Sequence, residues 1–279
     1  MTRHTRLAMT NLQGQDPFRI LVINPNTSTH MTAALKPILD RLNYSDVQFE
    51  YFTAPNEIFA LDNHSALNCA SVMEKIAEYD AFLVACYSAH PLVGMIRQEI
   101  QTLNKSAPST KPKYVTGIFE GSITAALSLI SGFEFFSTGS IPGPMLKKQM
   151  KETFGIVTTG SAWKDELNAA VTEMLVGTGS QSSRFAGTET TGLTAVELHT
   201  TAPEEVKQRI IAATQRLLLQ APGPVGAVCL GCAGMAGMEE AVREGCIQAY
   251  GPVEGSRVRI VDGVVAGAAN LVTACKAGF

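Results

Sequence analysis

Apolar runs of strand length alternate with segments of helical periodicity along most of the chain. RILVIN (19–24) is followed by STHMTAALKPILDRL (28–42). VQFEYFTA (47–54) precedes HSALNCASVMEKIAEY (64–79), where Leu67, Ala70, Met73, Ile76 and Ala77 share one helical face. AFLVAC (81–86) is apolar without a break, the pattern of a strand buried on both sides. YVTGIF (114–119), FGIVTT (154–159), GAVCLG (226–231) and RVRIVD (257–262) continue the series, again separated by helical segments. The alternation predicts an α/β fold with largely parallel sheets flanked by helices. Two stretches break the pattern. VGTGSQSSRFAGTETTG (176–192) reads as a long surface loop over a site, and STGSIPGP (137–144) as another loop.

The strand ends repeat a plan. In the first half AFLVAC ends in Cys86 and leads into YSAHPLVGMIRQEI; in the second, GAVCLGC ends in Cys232 and leads into AGMAGMEEAVREG. Each is an apolar strand, a cysteine, a turn and a helix. RILVINPNTS and FGIVTTGS form a second pair, each a strand running into small polar residues and a helix. The expectation is two pseudo-symmetric lobes with a cysteine at one strand end of each, and open α/β sheets bind ligands at those ends. On this reading residues 1–18 are a disordered tail, 19–118 with 263–279 form the first lobe and 119–262 the second. The active site then lies in the cleft between the lobes.

Composition narrows the function classes. The 279 residues are ample for a buried core, and 46% apolar against 17% charged residues marks a globular chain. A formal charge of −3 with no run of Lys or Arg leaves no footprint for nucleic acid. No uninterrupted apolar stretch is long enough to span a bilayer. MTRHTRLAMTNLQGQDPF lacks the apolar centre of a secretory signal, and its Arg and Thr content makes a mitochondrial leader the weaker reading beside a plain terminal tail. A cytoplasmic location with reduced thiols is the expectation.

Within AVCLGCAGM (227–235), Cys229 and Cys232 have the spacing of a metal clip or a redox pair. Structural zinc needs four ligands, and no second CxxC, CxH or HxxxH accompanies them. His64 and His199 show no metal spacing either. A redox pair sits at the start of a helix, whereas Cys229 lies inside an apolar run. In an extended run the two positions point to opposite faces. Cys229 is then a small buried hydrophobe, and Cys232 lies where the strand turns and backbone N–H groups can meet a thiolate. An ordinary thiol is about 3% ionised at neutral pH, and a shift to about 7 would make Cys86 or Cys232 a competent base. Two such thiols on opposite walls of a cleft would serve opposite faces of one carbon. A buried core thiol is the alternative for each.

ILVINPNTSTHMT, ACYSAHP, FGIVTT, TGLTAVELH, LGCAGM and VRIVDGVVAGA follow one another in the order found in a known family. Over most of residues 18–279 the chain resembles the Asp/Glu/hydantoin racemase superfamily, in its hydantoin and allantoin racemase branch. The resemblance implies cofactor-independent racemisation by two cysteines, here Cys86 and Cys232, with no metal. It implies ligand contacts at Asn24, Thr27, Ser88, Glu120, Gly121, Ser122, Thr158 and Thr159, and at the backbone of Ala233 and Gly234. A small molecule with a hydantoin ring, most naturally allantoin, is the implied partner, and a homo-oligomer the implied assembly. Two departures bear on substrate choice. CYSAHP stands where bacterial members commonly have CFSDPG, and GIFEGS places Gly121 where they have Ala.

The residues themselves fit a neutral, flat ligand. Removing a proton beside a carbonyl puts negative charge on oxygen, which preorganised donors must meet. NPNTS, TTGS and CAGM supply such donors without charge, although Thr27 and Ser28 also suit ordinary helix capping. Glu120 is either a solvated strand end or a group orienting a thiol or ligand. His90 reads as structural or as a pocket wall rather than a third acid/base group. Asp262 ends a strand and caps the helix GVVAGAANLVTAC, which packs back on the first lobe, and Trp163 belongs on a helix face. An amino-acid racemase of the Asp/Glu type would need cations for its carboxylates, and none lies in these loops. A cis–trans isomerase or decarboxylase would work with one cysteine or a cysteine adduct. A non-catalytic metabolite-binding protein is the reading from a different class.

Overall fold

The unbroken apolar strands lie at the centres of two sheets. The structure, a computed structural model, describes residues 16–55, 71–106, 111–130, 134–136, 146–148, 152–177 and 184–279. The tail and the 137–144 loop expected from sequence lie outside these residues, apart from the tail's last three. The first sheet is built from β1 (Phe18–Asn24), β2 (Val47–Thr53), β3 (Ala81–Val84) and β4 (Tyr114–Gly117), all parallel, in the order β2-β1-β3-β4. Helix α1 (Thr29–Asp40) follows β1, and α2 (Pro91–Ser106) joins β3 to β4.

After β4 come α3 (Ile118–Leu129) and a short antiparallel pair, β5 (Glu134–Phe136) with β6 (Leu146–Lys148). The second sheet holds β7 (Thr153–Thr158), β8 (Phe185–Thr190), β9 (Val225–Leu230) and β10 (Arg259–Asp262), again parallel. Its order, β8-β7-β9-β10, repeats the first sheet strand for strand. The helices of this half are α4 (Trp163–Leu175), α5 (Glu197–Thr200), α6 (Pro203–Gln220), α7 (Glu239–Arg257) and α8 (Gly263–Ala277). Helix α7 is interrupted at Gly251, whose φ of 81° only glycine adopts without strain, just before Pro252.

Side-chain alternation explains the apolar runs. Ile20 and Val22 of β1 face a central layer with Phe119, Ile123, Phe154, Ile156 and Leu271. Leu21 and Ile23, one residue out of phase, join Phe82, Leu92 and Ile96 under α2. On the far side, Val228 and Leu230 pack with Ile210, Leu217 and Val242 of α6 and α7. Each central strand is therefore covered on both faces, as in parallel α/β sheets. The central layer is shared by both sheets and by two exchanged helices: α3 packs on β9 and β10, and α8 on β3 and β4. Where α3 and α8 cross, Gly121 lies so near Gly267 that a Cβ on Gly121 would sit 2.7 Å from the Gly267 Cα.

Two local expectations are corrected. Residues 185–190 form an edge strand inside the stretch expected to be a loop. Their β-branched threonines pair with one neighbour only, across a register shift near a positive-φ Gly187, so no long apolar run was needed. The run YVTGIF is strand only to Gly117; Ile118 already begins α3. As expected, Asp262 caps α8, its Oδ1 accepting from Val264 N at 2.7 Å and Val265 N at 3.4 Å. Among the described residues, no helix is long and apolar enough to cross a membrane.

Candidate active site

Cys86 and Cys232 occupy equivalent places, each two residues beyond the end of the matching inner strand, β3 or β9. The strand-like bonding persists past each strand, with Ala85 N donating to Ile23 O at 2.8 Å and Gly231 N to Val157 O at 2.7 Å. Pro91 then opens α2 on one side, and a single 3-10 turn, Ala233–Met235, follows on the other. Both sulfurs belong to partly exposed residues and are free thiols.

Their electrostatics are linked. Burial pushes Cys86 up to about 11, against a lowering by the Ser88 hydroxyl 3.4 Å away, and ionised Cys232, Glu166 and Glu120 each push it higher. Burial raises Cys232 as well, but the backbone N–H groups of Gly234 and Met235 counter it, the first donating to Sγ at 3.4 Å. Both thiols are thus raised, not lowered toward the value of about 7 that would make either a ready base. At both thiols desolvation by the surrounding protein outweighs the local donors. Cys232, with two backbone donors, is the better placed to hold charge; Cys86, among carboxylates, is the better proton donor.

The remaining candidates divide by what they touch. Ser88 is buried against Cys86, and Gly234 presents its amide to Cys232. Ala233 lies in the same turn, and Thr27 is exposed on the loop after β1. Asn24 is buried, and its Nδ2 bonds Asn26 Oδ1, Ser28 O and Thr32 Oγ1, each at 3.0 Å, so it braces that loop. Thr158 Oγ1 donates to Gly231 O at 2.6 Å, tying the end of β7 to the approach to Cys232. Thr159 is buried, its carbonyl accepting from Gly192 N at 3.1 Å.

Glu120 is in the first turn of α3, not on a strand end. Its carboxyl folds back over Gly117, one oxygen is buried with no hydrogen-bond partner, and burial raises its pKa despite nearby backbone N–H groups and Arg97. Gly121 packs on Gly267. Ser122 is fully buried; its hydroxyl donates to Phe119 O at 2.9 Å and lies 2.8 Å from the Tyr87 hydroxyl. Both residues are thus engaged between α3, α8 and β9.

Three neighbours escaped the sequence reading. Glu166, in the first turn of α4, is raised by burial and acts on Cys86 from the second lobe. His199 of α5 has its Nε2 3.2 Å from where a Gly234 Cβ would lie. His30 of α1 meets it edge-on, with ring centroids 5.9 Å apart at 79°. His199 fell within a quoted motif, but pairing it only with His64 as a metal ligand hid its role; Glu166 carries no strand-end signal at all. His90 is structural, its Nδ1 accepting from Leu92 N at 3.1 Å at the start of α2. Among the described residues, no three His, Cys, Asp or Glu side chains gather to hold a metal.

The CxxC divides as its strand phase requires. Cys229 is completely buried in the central layer, its thiol pointing to Ser122 O at 3.7 Å, while Cys232 borders the other core. A cavity of about 980 Å³ lies at the opposite, amino-terminal ends of β9 and β10 and contains no cysteine, so volume alone does not locate the chemistry.

A family model described as Asp/Glu/Hydantoin racemase matches residues 20–271. An uncharacterized protein of Schizosaccharomyces pombe is 34% identical over 263 residues, covering 89% of this chain and 88% of its own. Among solved structures, an allantoin racemase from Klebsiella pneumoniae aligns with a TM-score of 0.63 at 20% identity, over 94% of this chain and 89% of its own. An allantoin racemase from Pseudomonas fluorescens aligns at 0.62 and 21% identity, over 94% and 92%. At these identities the structures share the two-sheet fold.

Proposed function

The chain belongs to the Asp/Glu/hydantoin racemase family, and from that premise we propose that it racemises 5-substituted hydantoins, allantoin foremost, by proton transfer between Cys86 and Cys232 without a cofactor. The observation that carries this reading is the pairing of two free thiols at equivalent strand ends, close enough for the charge of one to shift the other. For one enantiomer, Cys232 as thiolate takes the C5 proton while the Cys86 thiol delivers its own to the opposite face. For the other enantiomer the roles reverse. Charge that develops on the neighbouring carbonyl oxygen needs preorganised donors, and the backbone N–H groups around Cys232 are of that kind.

The second reading, an amino-acid racemase of the Asp/Glu type, meets an unfavourable field. Glu120 and Glu166 both act on Cys86, and no cation is among the groups that shift either thiol. A dianionic substrate would be repelled where a neutral ring is not. Polarimetry of (S)-allantoin separates the readings. The rotation should decay to zero faster than in an enzyme-free control, and this faster decay should survive exhaustive chelation. Racemisation of aspartate or glutamate with allantoin untouched would select the second reading.

A further inference from the structure

His30 and His199 stand together close to Cys232. They come from different lobes, α1 and α5, and meet edge-on beside the 3-10 turn that follows Cys232. The His199 Nε2 and the Cys232 Sγ lie 3.2 and 3.6 Å from the same point, the position of a Cβ on Gly234. They are therefore no more than about 7 Å apart, a span that a planar substituent on a carbon beside the sulfur covers. Both histidines are exposed. Among the described residues, neither ring is hydrogen-bonded to the protein, so its nitrogens are available as one donor and one acceptor each in the neutral form.

Asn24, Ser88, Thr158 and Thr159, at or just beyond the ends of β1, β3 and β7, are all buried, whereas both histidines are exposed. If the ring lies toward these buried polar residues, the remaining substituent of a carbon held between the two sulfurs points to the exposed histidines. We infer that His30 and His199 form a polar gate that selects hydantoins with a planar, hydrogen-bonding 5-substituent, such as an ureido or carboxamide group, over those with an alkyl or benzyl group. An apolar substituent would strip water from these nitrogens and return no bond, and sites built to hydrogen-bond a group discriminate strongly against analogues that lack it.

This inference rests on the hydantoin reading above. Its test measures kcat/KM of the full chain for allantoin and for 5-benzylhydantoin. His199→Phe keeps the ring packing against His30 but removes the nitrogens. It should lower kcat/KM for allantoin by about tenfold to a hundredfold, chiefly through KM, and leave 5-benzylhydantoin unchanged or improved. His199→Asn, which keeps a donor and an acceptor, should retain most of the preference for allantoin. Equal losses for both substrates would overturn the gate and make His199 a servant of Cys232 or of the scaffold; no loss for either would overturn it too. If the unmodified protein racemises neither hydantoin, the parent reading fails at that control, and the gate with it.

Discussion

At the scale of single residues, the two strand-end cysteines are distinguished from the other described thiols by exposure. Cys86 and Cys232 are partly exposed, while Cys229, Cys246 and Cys275 are buried. Alkylation by iodoacetamide should therefore modify Cys86 and Cys232 before Cys229, with loss of activity and protection by substrate. The Cys86 rate should keep rising with pH toward about 11, because burial holds that thiol protonated over the ordinary range. Peptide mass mapping checks both statements, and early modification of Cys229 with activity intact would contradict them. The positions of these cysteines were legible in the sequence because strand, cysteine, turn and helix occur twice. Their raised pKa was not, since desolvation depends on the tertiary packing around the strand ends. Glu166 and His199 were equally hidden, because only tertiary packing brings α4 near Cys86 and α5 near the turn after Cys232.

At the scale of elements, the apolar runs gave the inner strands, and β8 was lost because an edge strand needs little apolar sequence. The departure at Gly121 has a packing explanation that no strand pattern contains. Helices α3 and α8 touch backbone to backbone there, and a methyl group at residue 121 would fall 2.7 Å from the Gly267 Cα. Gly121→Ala should lower the unfolding free energy by about 1–3 kcal/mol, the usual range for overpacking. Urea unfolding gives the stability, and substrate KM measured well below the new midpoint should be unchanged. A stable variant with altered KM would instead support the substrate contact expected at Gly121.

At the scale of the whole molecule, the resemblance between halves is a property of the sheets and of the two helices they exchange, and it places one thiol on each wall. The thiols also set an alkaline limit. Burial raises Cys86, Cys246 and Cys275 from an ordinary 9.0 to about 11. Below pH 9 both folded and unfolded chains hold these protons, and the stabilisation is complete. As pH rises from 9 through 11 the unfolded chain loses protons that the fold retains, so stability must fall. Denaturant midpoints across that window should decline steadily, and Cys246→Ala should show a shallower decline from its own starting value. A flat profile would contradict the burial assigned to these thiols.

The pairing of the two lobes in one reaction is tested most directly by solvent exchange in single mutants. With Cys86→Ser or Cys232→Ser, one face of C5 keeps a thiol and the other loses it. Both enantiomers of allantoin are incubated in D2O with each variant, and NMR follows loss of the C5 hydrogen, corrected for spontaneous exchange. Racemisation should be abolished in both variants. Each should still exchange one enantiomer with retention, and the two should choose opposite enantiomers, because the surviving bases stand on opposite sides. Racemisation at the full rate in either variant, or exchange of the same enantiomer by both, would contradict a carbon held between Cys86 and Cys232.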